Sequence, residues 1–331
     1  MRIKSSKQFL ESQQQANLQN IDASIIVVVF NQHKTLPLIL KSLAAQNFQG
    51  KYEVIISDDG SNKYLFQKCR DEFNKYRISL KYIWQQDRYF RVAAARNNGI
   101  KISKGKYLIF LDGDLVPSLD FVKQHLQMHK KPKLLITGNR KWRGKIDNKS
   151  FTKLNGIPIK RILYGLEHQQ NIDKRCLEAE NKERTRRITW LHSSNPWRAC
   201  FSGNLSVERN PEIFFDENFI GWGPEDWEFS YRLCIKHGYT PIYDDKITTY
   251  HLESAISKPF ITKNHDDIVR YLRNTFYFYD KCPGLTLEEI FFWLPRFRLN
   301  RKLDKWEVVP RPESYILEDI IKEAKRWLVK K

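Results

Sequence analysis

The 331 residues include 57 Lys and Arg against 38 Asp and Glu, a formal net charge of +19, and 41% of them are hydrophobic. That apolar content supplies a core for one large domain or two smaller ones and excludes an intrinsically disordered chain. The excess of positive charge points to a polyanionic partner or an anionic membrane surface.

Residues 1–20 are polar and glutamine-rich, so 1–22 read as an N-terminal extension and not as a secretory leader. SIIVVVF at 24–30 is a β-branched run suited to a strand buried on both faces, and a helix follows with Leu36, Ile39, Leu40 and Leu43 on one side. YEVIIS at 52–57 repeats the strand signal and ends in DDGS. A helix is expected over 61–77, a strand over 79–84 (SLKYIW), a helix over 90–103 and a fourth strand in KYLIFLDGD, 106–114. Strands alternating with helices imply right-handed crossovers and a mostly parallel sheet flanked by helices. Ligands of such sheets sit at the carboxyl ends of the strands. Phe30-Asn31, Asp58-Asp59-Gly60 and Asp112-Gly113-Asp114 all fall at that edge.

Each cluster has a chemical reading beside a structural one. The Phe30 ring and the carboxylates that follow the second strand would stack on and accept from a planar base and its ribose, while Ser61 would also serve as an ordinary helix cap. Arg88, Arg91 and Arg96 in DRYFRVAAARNNG would pair with diphosphate oxygens. Asp112 and Asp114, one residue apart, would both reach one hard cation that neutralises a phosphate leaving group; Asp and Gly are turn formers as well.

Residues 130–200 are rich in Lys, Arg, Asn and Trp with little periodicity, apart from a helix around 171–187, and read as an insertion packed on the sheet. Order returns with FSGNLSV (201–207), GWGPEDWEFSYRL (221–233), and the strand-like TPIYDD (240–245) and ITTYHLES (247–254). Gly221 and Gly223 permit left-handed backbone, Pro224 suits a first helical turn, and Trp227, Tyr231 and Cys234 give the next segment a buried stripe. Glu225 and Asp226 then stand at a helix amino terminus, where the dipole stabilises ionised carboxylates by roughly 0.3–1 kcal/mol. An ionised carboxylate is also what a general base requires.

The tail from 285 alternates aromatic and basic residues, and 315–331 has the pattern of an amphipathic basic helix, lying at a membrane interface or solvated. The five cysteines are odd in number, widely spaced and never in CxxC, which argues for free, mostly buried thiols over a disulfide framework or a zinc knuckle. Ile25–Phe30, the longest apolar run near the start, is far short of the roughly 20 residues that span a bilayer. A cytoplasmic protein, at most peripheral at the inner membrane face, is expected.

The order VVVFN, VIISDDGS, AAARNNGI and YLIFLDGDLVP, over about 23–130, resembles the nucleotide-sugar-binding half of GT-A glycosyltransferases, family 2 in particular. FSGN, GWGPEDWEFSYRL and YHLE, over about 200–253, resemble the carboxyl-terminal part of β-1,4-galactosyltransferases and bacterial chondroitin-polymerase-type enzymes. The resemblance implies an α/β, GT-A fold over 23–280, with a donor half at 23–130, an acceptor and catalytic half at 131–280, and a basic C-terminal helical extension at 281–331. It places Phe30, Asn31 and Asp59 on the uracil and ribose of a UDP-sugar and Arg96 at its diphosphate. Asp112 would lie at the ribose edge and, with Asp114 and His251, would hold Mn²⁺ or Mg²⁺. Gly203 and Asn204 would line the donor sugar, and Trp222 would offer a flat face to an acceptor sugar. Glu225 would bind sugar hydroxyls, and Asp226 would be the general base of an inverting transfer of a hexose or N-acetylhexosamine to a glycan or glycolipid.

The sequence departs from the galactosyltransferase pattern at Pro224, where those enzymes carry a further glycine, and residues 131–200 match none of these motifs. A nucleotidyltransferase would carry a glycine-rich basic loop where this chain has VFNQHKTLP. The competing reading from another class is a basic nucleic-acid- or membrane-binding protein without transferase activity; on the transferase reading nucleic acid is not a partner.

Overall fold

A computed structural model describes residues 9–11, 20–62, 78–144, 154, 156–252, 265–283, 285–286, 294–309 and 316–330. Nearly all of the helix expected over 61–77, Cys69, the last two residues of ITTYHLES and the segment 287–293 of the aromatic tail lie outside them.

Among the described residues nine strands form the central sheet: β1 (Phe9–Glu11), β2 (Ala23–Val29), β3 (Tyr52–Asp58), β4 (Ser79–Trp84), β5 (Tyr107–Asp112), β6 (Leu115–Pro117), β7 (Leu134–Trp142), β8 (Asn204–Glu208) and β9 (Thr240–His251). Their order is β1-β4-β3-β2-β5-β8-β7-β9-β6. The four strands expected from sequence, β2 to β5, pair in parallel. β8 runs antiparallel between β5 and β7, and β9 is parallel to β7.

Alternation along each strand divides the core. Ile25, Val27, Val29, Val54, Ile56, Ile109 and Leu111 face one layer, and Ile26, Ile55, Leu108 and Phe110 face the other. The first layer is covered by α1 (Thr35–Ala44), which contributes Leu36, Ile39, Leu40 and Leu43, with α3 (Phe121–Met128) and α4 (Ile159–Glu167) beside it. The second is covered by α2 (Val92–Ile102) and by Phe229 and Leu233, which belong to α6 (Glu225–Tyr231) and its π-helical continuation Arg232–Lys236. The uninterrupted β-branched run of β2 is therefore buried on both sides along its whole length.

Two segments read from sequence as non-sheet are sheet strands. Leu134–Trp142, inside the stretch taken as an insertion, lies between β8 and β9. It was missed because its apolar part, LLIT, is only four residues before polar GNRK, and its pairing partners are far away in sequence. Phe9–Glu11, inside the stretch taken as an extension, pairs antiparallel with the edge of β4. The helix around 171–187 forms as α5 (Lys174–Leu191).

The remaining elements build a second apolar centre. α7 (His265–Lys281), the hairpin β10 (Phe297–Asn300) and β11 (Lys305–Val308), and α8 (Leu317–Val329) gather Tyr271, Phe278, Phe297, Trp306 and Trp327 with Trp197, Trp227 and Tyr231. Leu317, Ile321, Ala324 and Trp327 are the buried face of α8. The amphipathic tail is thus neither solvated on all sides nor free to lay that face on a membrane; its apolar stripe is spent on packing. Among the described residues no helix is long and apolar enough to cross a membrane. The four described cysteines are free and mostly buried.

Candidate active site

The carboxyl ends of β2, β3 and β5 stand side by side, so the three polar clusters share one edge. Asn31 takes the left-handed conformation at φ 55°. Its backbone N–H donates to Ser61 Oγ at 2.7 Å, and its Oδ1 accepts from the Asn62 N–H at 3.2 Å. These bonds tie the two loops together and leave Phe30, 45% exposed, as an open ring at the mouth.

Of the paired aspartates, Asp58 is structural: its carboxylate accepts from the N–H groups of Gly60 and Ser61 and from the Tyr82 hydroxyl. Asp59 is buried and accepts from Gln85 Nε2 at 2.5 Å and from the Arg91 N–H at 2.7 Å. Burial pushes its carboxyl up to about 6, against the pull of those two donors.

The three arginines are placed differently: Arg88 is exposed, Arg91 donates its backbone N–H to Asp59, and Arg96 is buried. From the second turn of α2 the Arg96 guanidinium reaches three carboxylates: Asp112 at 3.2 Å, Glu225 at 3.3 Å and Asp226 at 3.1 Å. It also lies 5.1 Å from the centre of the Phe215 ring. A planar fork with fixed donors suits this role in a way that an ammonium would not.

The segment before α6 brings its carboxylates to that fork. Gly221 and Gly223 have φ of 94° and 49°, a backbone that side chains with a Cβ rarely adopt. The Gly221 N–H donates to the Phe90 carbonyl at 2.8 Å, and the Asn274 amide donates to the carbonyls of Ile220 and Gly223. Trp222 is half-buried and stacked on Tyr271, with ring centres 5.5 Å apart, so only part of its face is open.

Asp226 Oδ1 accepts from Arg96 and from the Ser202 hydroxyl, and among the described residues its Oδ2 accepts no hydrogen bond. Glu225 behaves differently from a dipole-held ionised carboxylate. Its carboxyl is raised to about 7 by burial first and by the negative charge of Asp226 second, only partly offset by Arg96. With seven residues before the π-helical turn, α6 has little dipole to oppose that desolvation.

The remaining expected residues fall into two groups. Gly203 is pressed on Asp112: its carbonyl accepts from the Asp112 N–H at 3.1 Å, and a Cβ there would collide with Asp112 Oδ2. Asn204, expected beside the donor sugar, is instead buried in β8, where its carboxamide pairs with His125 and donates to the carbonyls of Asn139 and Ile247. Those bonds use the group and point it into the sheet.

Asp114 Oδ2 and His251 Nε2 lie 3.1 Å apart, beside the register pair Leu115↔His251 of β6 and β9. Burial alone would raise the Asp114 carboxyl, but the hydrogen bond from His251 and the electrostatic pull of His251 and Arg140 outweigh it and hold it low. A carboxylate oxygen and an imidazole nitrogen this close would both reach one divalent cation such as Mn²⁺. Asp112 turns one oxygen to Arg96. Among the described residues no group of three or more metal-ligating side chains is assembled, so further ligands would come from substrate and water.

Sequence reasoning overlooked Ser202, Gln85 and Arg140. Arg140 lies over Trp142 at 4.8 Å, pairs with Glu183 of α5 at 2.7 Å, and adds positive potential at Asp112 and Asp114. The signal for it was GNRKW following an apolar run, the same strand-end pattern that marked the other clusters.

Comparisons with known proteins agree with this architecture. The model of the family described as Glycosyl transferase family 2 matches residues 24–189. The chain is 32% identical over 249 residues to a hyaluronan synthase of Pasteurella multocida, covering 71% of this chain and 25% of that protein. It is 28% identical over 227 residues to a chondroitin synthase of Escherichia coli, covering 63% of this chain and 32% of that protein. It thus spans about a quarter to a third of the length of these relatives. The crystal structure of GalNAc-T7 with UDP, GalNAc and Mn²⁺ shares its fold, with a TM-score of 0.53, 14% identity, and coverage of 95% of this chain and 57% of that one. The parallel half of the sheet, the carboxylates at its strand ends and the family match over half the chain lead to one conclusion: this protein belongs to glycosyltransferase family 2 and has the GT-A fold.

Proposed function

We propose that the chain transfers a hexose or N-acetylhexosamine from a UDP-sugar to a hydroxyl of a glycan or glycolipid acceptor, with inversion at the anomeric carbon. The observation that carries this reading is the anchoring of Asp226. One carboxylate oxygen is fixed by Arg96 and Ser202, and the other accepts no hydrogen bond among the described residues. A base so oriented takes the acceptor proton on Oδ2 while the acceptor oxygen bonds to the anomeric carbon and the sugar–diphosphate bond breaks, its electron pair leaving with UDP.

Phe30, Asn31 and Asp59 would hold the uracil and ribose, with Asp112 at the ribose edge. Asp114 and His251 would hold Mn²⁺ or Mg²⁺, which when bound neutralises charge on the departing diphosphate. Gly203 leaves room for Asp112, and Trp222 with Glu225 would meet acceptor hydroxyls. Glu225, holding its proton up to about pH 7, can donate a hydrogen bond as well as accept one. The UDP and Mn²⁺ bound by GalNAc-T7, and the glycan polymers named for the sequence relatives, support the choice of donor and acceptor class.

The test is a screen of UDP-sugars for Mn²⁺-dependent hydrolysis, followed by Asp226→Asn. The variant is expected to lose transfer by about 10²–10⁴-fold with UDP affinity unchanged. Near-normal turnover in that variant rejects Asp226 as base, and silence toward every nucleotide sugar rejects the whole reading.

A further inference from the structure

We propose that a buried chain of hydrogen bonds through His129, Ser206, His125 and Asn204 is a positioning device for the transfer: it fixes the register in which β7 and β9 meet beyond Gly138, and with it the place of His251 beside Asp114. This deepens the transferase reading and rests on it. Asn204 and His125 are the positioning residues, acting on the cation pair through the strands and not by contact.

The directions of these hydrogen bonds follow from the groups involved. Asn204 opens β8 and His125 lies on α3, both buried. Burial holds the His125 imidazole down to about 3 and that of His129 down to about 4, so each ring is neutral and carries one N–H. Asn204 Nδ2 donates to the carbonyls of Asn139 at 3.0 Å and Ile247 at 3.1 Å, which turns its Oδ1 toward His125 Nε2 at 2.9 Å. An amide oxygen only accepts, so the His125 proton is on Nε2, and its Nδ1 accepts from the Ser206 hydroxyl at 2.9 Å. Ser206 Oγ in turn accepts from His129 Nε2 at 2.8 Å. The donors of the Asn204 amide are thereby committed to β7 and β9.

The two carbonyls sit at a break in the β7–β9 pairing. Gly138 pairs with Asp244 but Asn139 pairs with Thr248, so Asp245, Lys246 and Ile247 have no partner on β7. Register is open to slippage at such a break, and a slip of one residue turns every side chain beyond it to the opposite face. The Asn204 amide spans the break with one bond to each strand. Its room there depends on Gly138, where a Cβ would lie 2.4 Å from the Ile247 carbonyl oxygen and 2.5 Å from Asn204 Nδ2. Beyond the break Arg140 pairs with Thr249 and Trp142 with His251, while His251 pairs with Leu115 on its other side. The Trp142 and His251 rings are 4.2 Å apart, and His251 Nε2 is 3.1 Å from Asp114. The register held by the amide is therefore the one that brings an imidazole of β9 to the carboxylate between β5 and β6. A leucine at 125 would leave the Asn204 oxygen without its donor, and an amide released on that side no longer grips two carbonyls on the other.

Direct Mn²⁺ titration of the full chain without nucleotide tests this in His125→Leu and in His125→Gln, whose side-chain N–H can replace that of Nε2. UDP titration under chelation and melting curves accompany it. His125→Leu is expected to weaken Mn²⁺ binding about tenfold with UDP affinity changed by less than about twofold, and His125→Gln to recover most of the loss. A merely structural role would lower the melting temperature of His125→Leu and leave the Mn²⁺ affinity of the folded protein unmoved; that result overturns the proposal, as does a Gln variant no better than the Leu variant. Should His125→Leu fail to fold, Ser206→Ala removes the hydroxyl that fixes the His125 ring: binding weakened about threefold is expected, and unchanged binding overturns the proposal. Absence of Mn²⁺ binding by the wild type rejects the cation site and this proposal with it. Turnover of UDP-sugars by the wild type reports separately on the transferase reading.

Discussion

Arg96 is where structure and chemistry are most tightly joined. Two terminal nitrogens of one buried side chain serve three carboxylates at 3.1 to 3.3 Å. Arg96→Met would leave three acidic groups facing one another without a counter-charge. Removing one partner of a buried ion pair costs about 3–5 kcal/mol, and at about 2 °C per kcal/mol for a chain of this size the melting temperature would fall by about 6–10 °C at pH 8. The loss should shrink as pH falls through the carboxylate range, because protonation removes the repulsion that Arg96 normally relieves. Arg96→Lys keeps the charge but has a single nitrogen, so it can satisfy only part of the set; each abandoned charge-assisted bond is worth about 1.5–3 kcal/mol. With Asp226 no longer held in place, turnover should fall by about 10²-fold. UDP affinity should change less than about threefold, under 1 kcal/mol. The assays are melting curves from pH 5 to 8, steady-state transfer, and UDP titration. A tenfold or greater loss of UDP affinity in Arg96→Lys with kcat unchanged would refute the positioning role and return Arg96 to the diphosphate.

The other predictions address the cation and Glu225. Asp114→Ala, or exhaustive chelation, is expected to abolish turnover, with His251→Ala causing a partial loss; direct Mn²⁺ titration should weaken in both variants, and full activity under chelation removes the cation from the mechanism. Glu225 has its carboxyl raised to about 7 from 4.5, so the folded state keeps a proton that the unfolded chain gives up. Its contribution is therefore complete below about pH 4.5 and is lost as pH rises through about 7, a change of at most about 3–4 kcal/mol at 1.4 kcal/mol per tenfold change in proton affinity. Glu225→Gln should flatten this part of the stability profile between pH 5 and 8, and an unchanged slope shows that the site does not titrate there.

The parallel half of the fold was legible because its signals are local. β2 and β4 match the runs SIIVVVF and SLKYIW to within a residue; β2, covered on both faces, is an almost uninterrupted β-branched run. The strand-end rule then placed Phe30, Asp59, Asp112 and Asp114 on one edge without any structure. β7 and β1 carry no such run, because one has a short apolar core ending in polar residues and the other lies at an edge. The tail illustrates the converse: the amphipathic stripe of α8 is plain in the sequence, but what covers it is not.

Charge was the least legible property. DRYFRVAAARNNG shows three arginines and cannot show that Arg96 is buried while Arg88 is not. The cluster of Arg96, Asp112, Ser202, Glu225 and Asp226 joins residues up to 130 positions apart. Sequence alone determined the strand and helix periods, the residue types at each strand end and the spacing within each motif, because these follow from backbone geometry over a few residues. Tertiary structure alone decided which carboxylates share a counter-charge, which are desolvated, and which of them keeps an oxygen outside the hydrogen bonds of the described residues, because those depend on atoms that only the closed fold brings together.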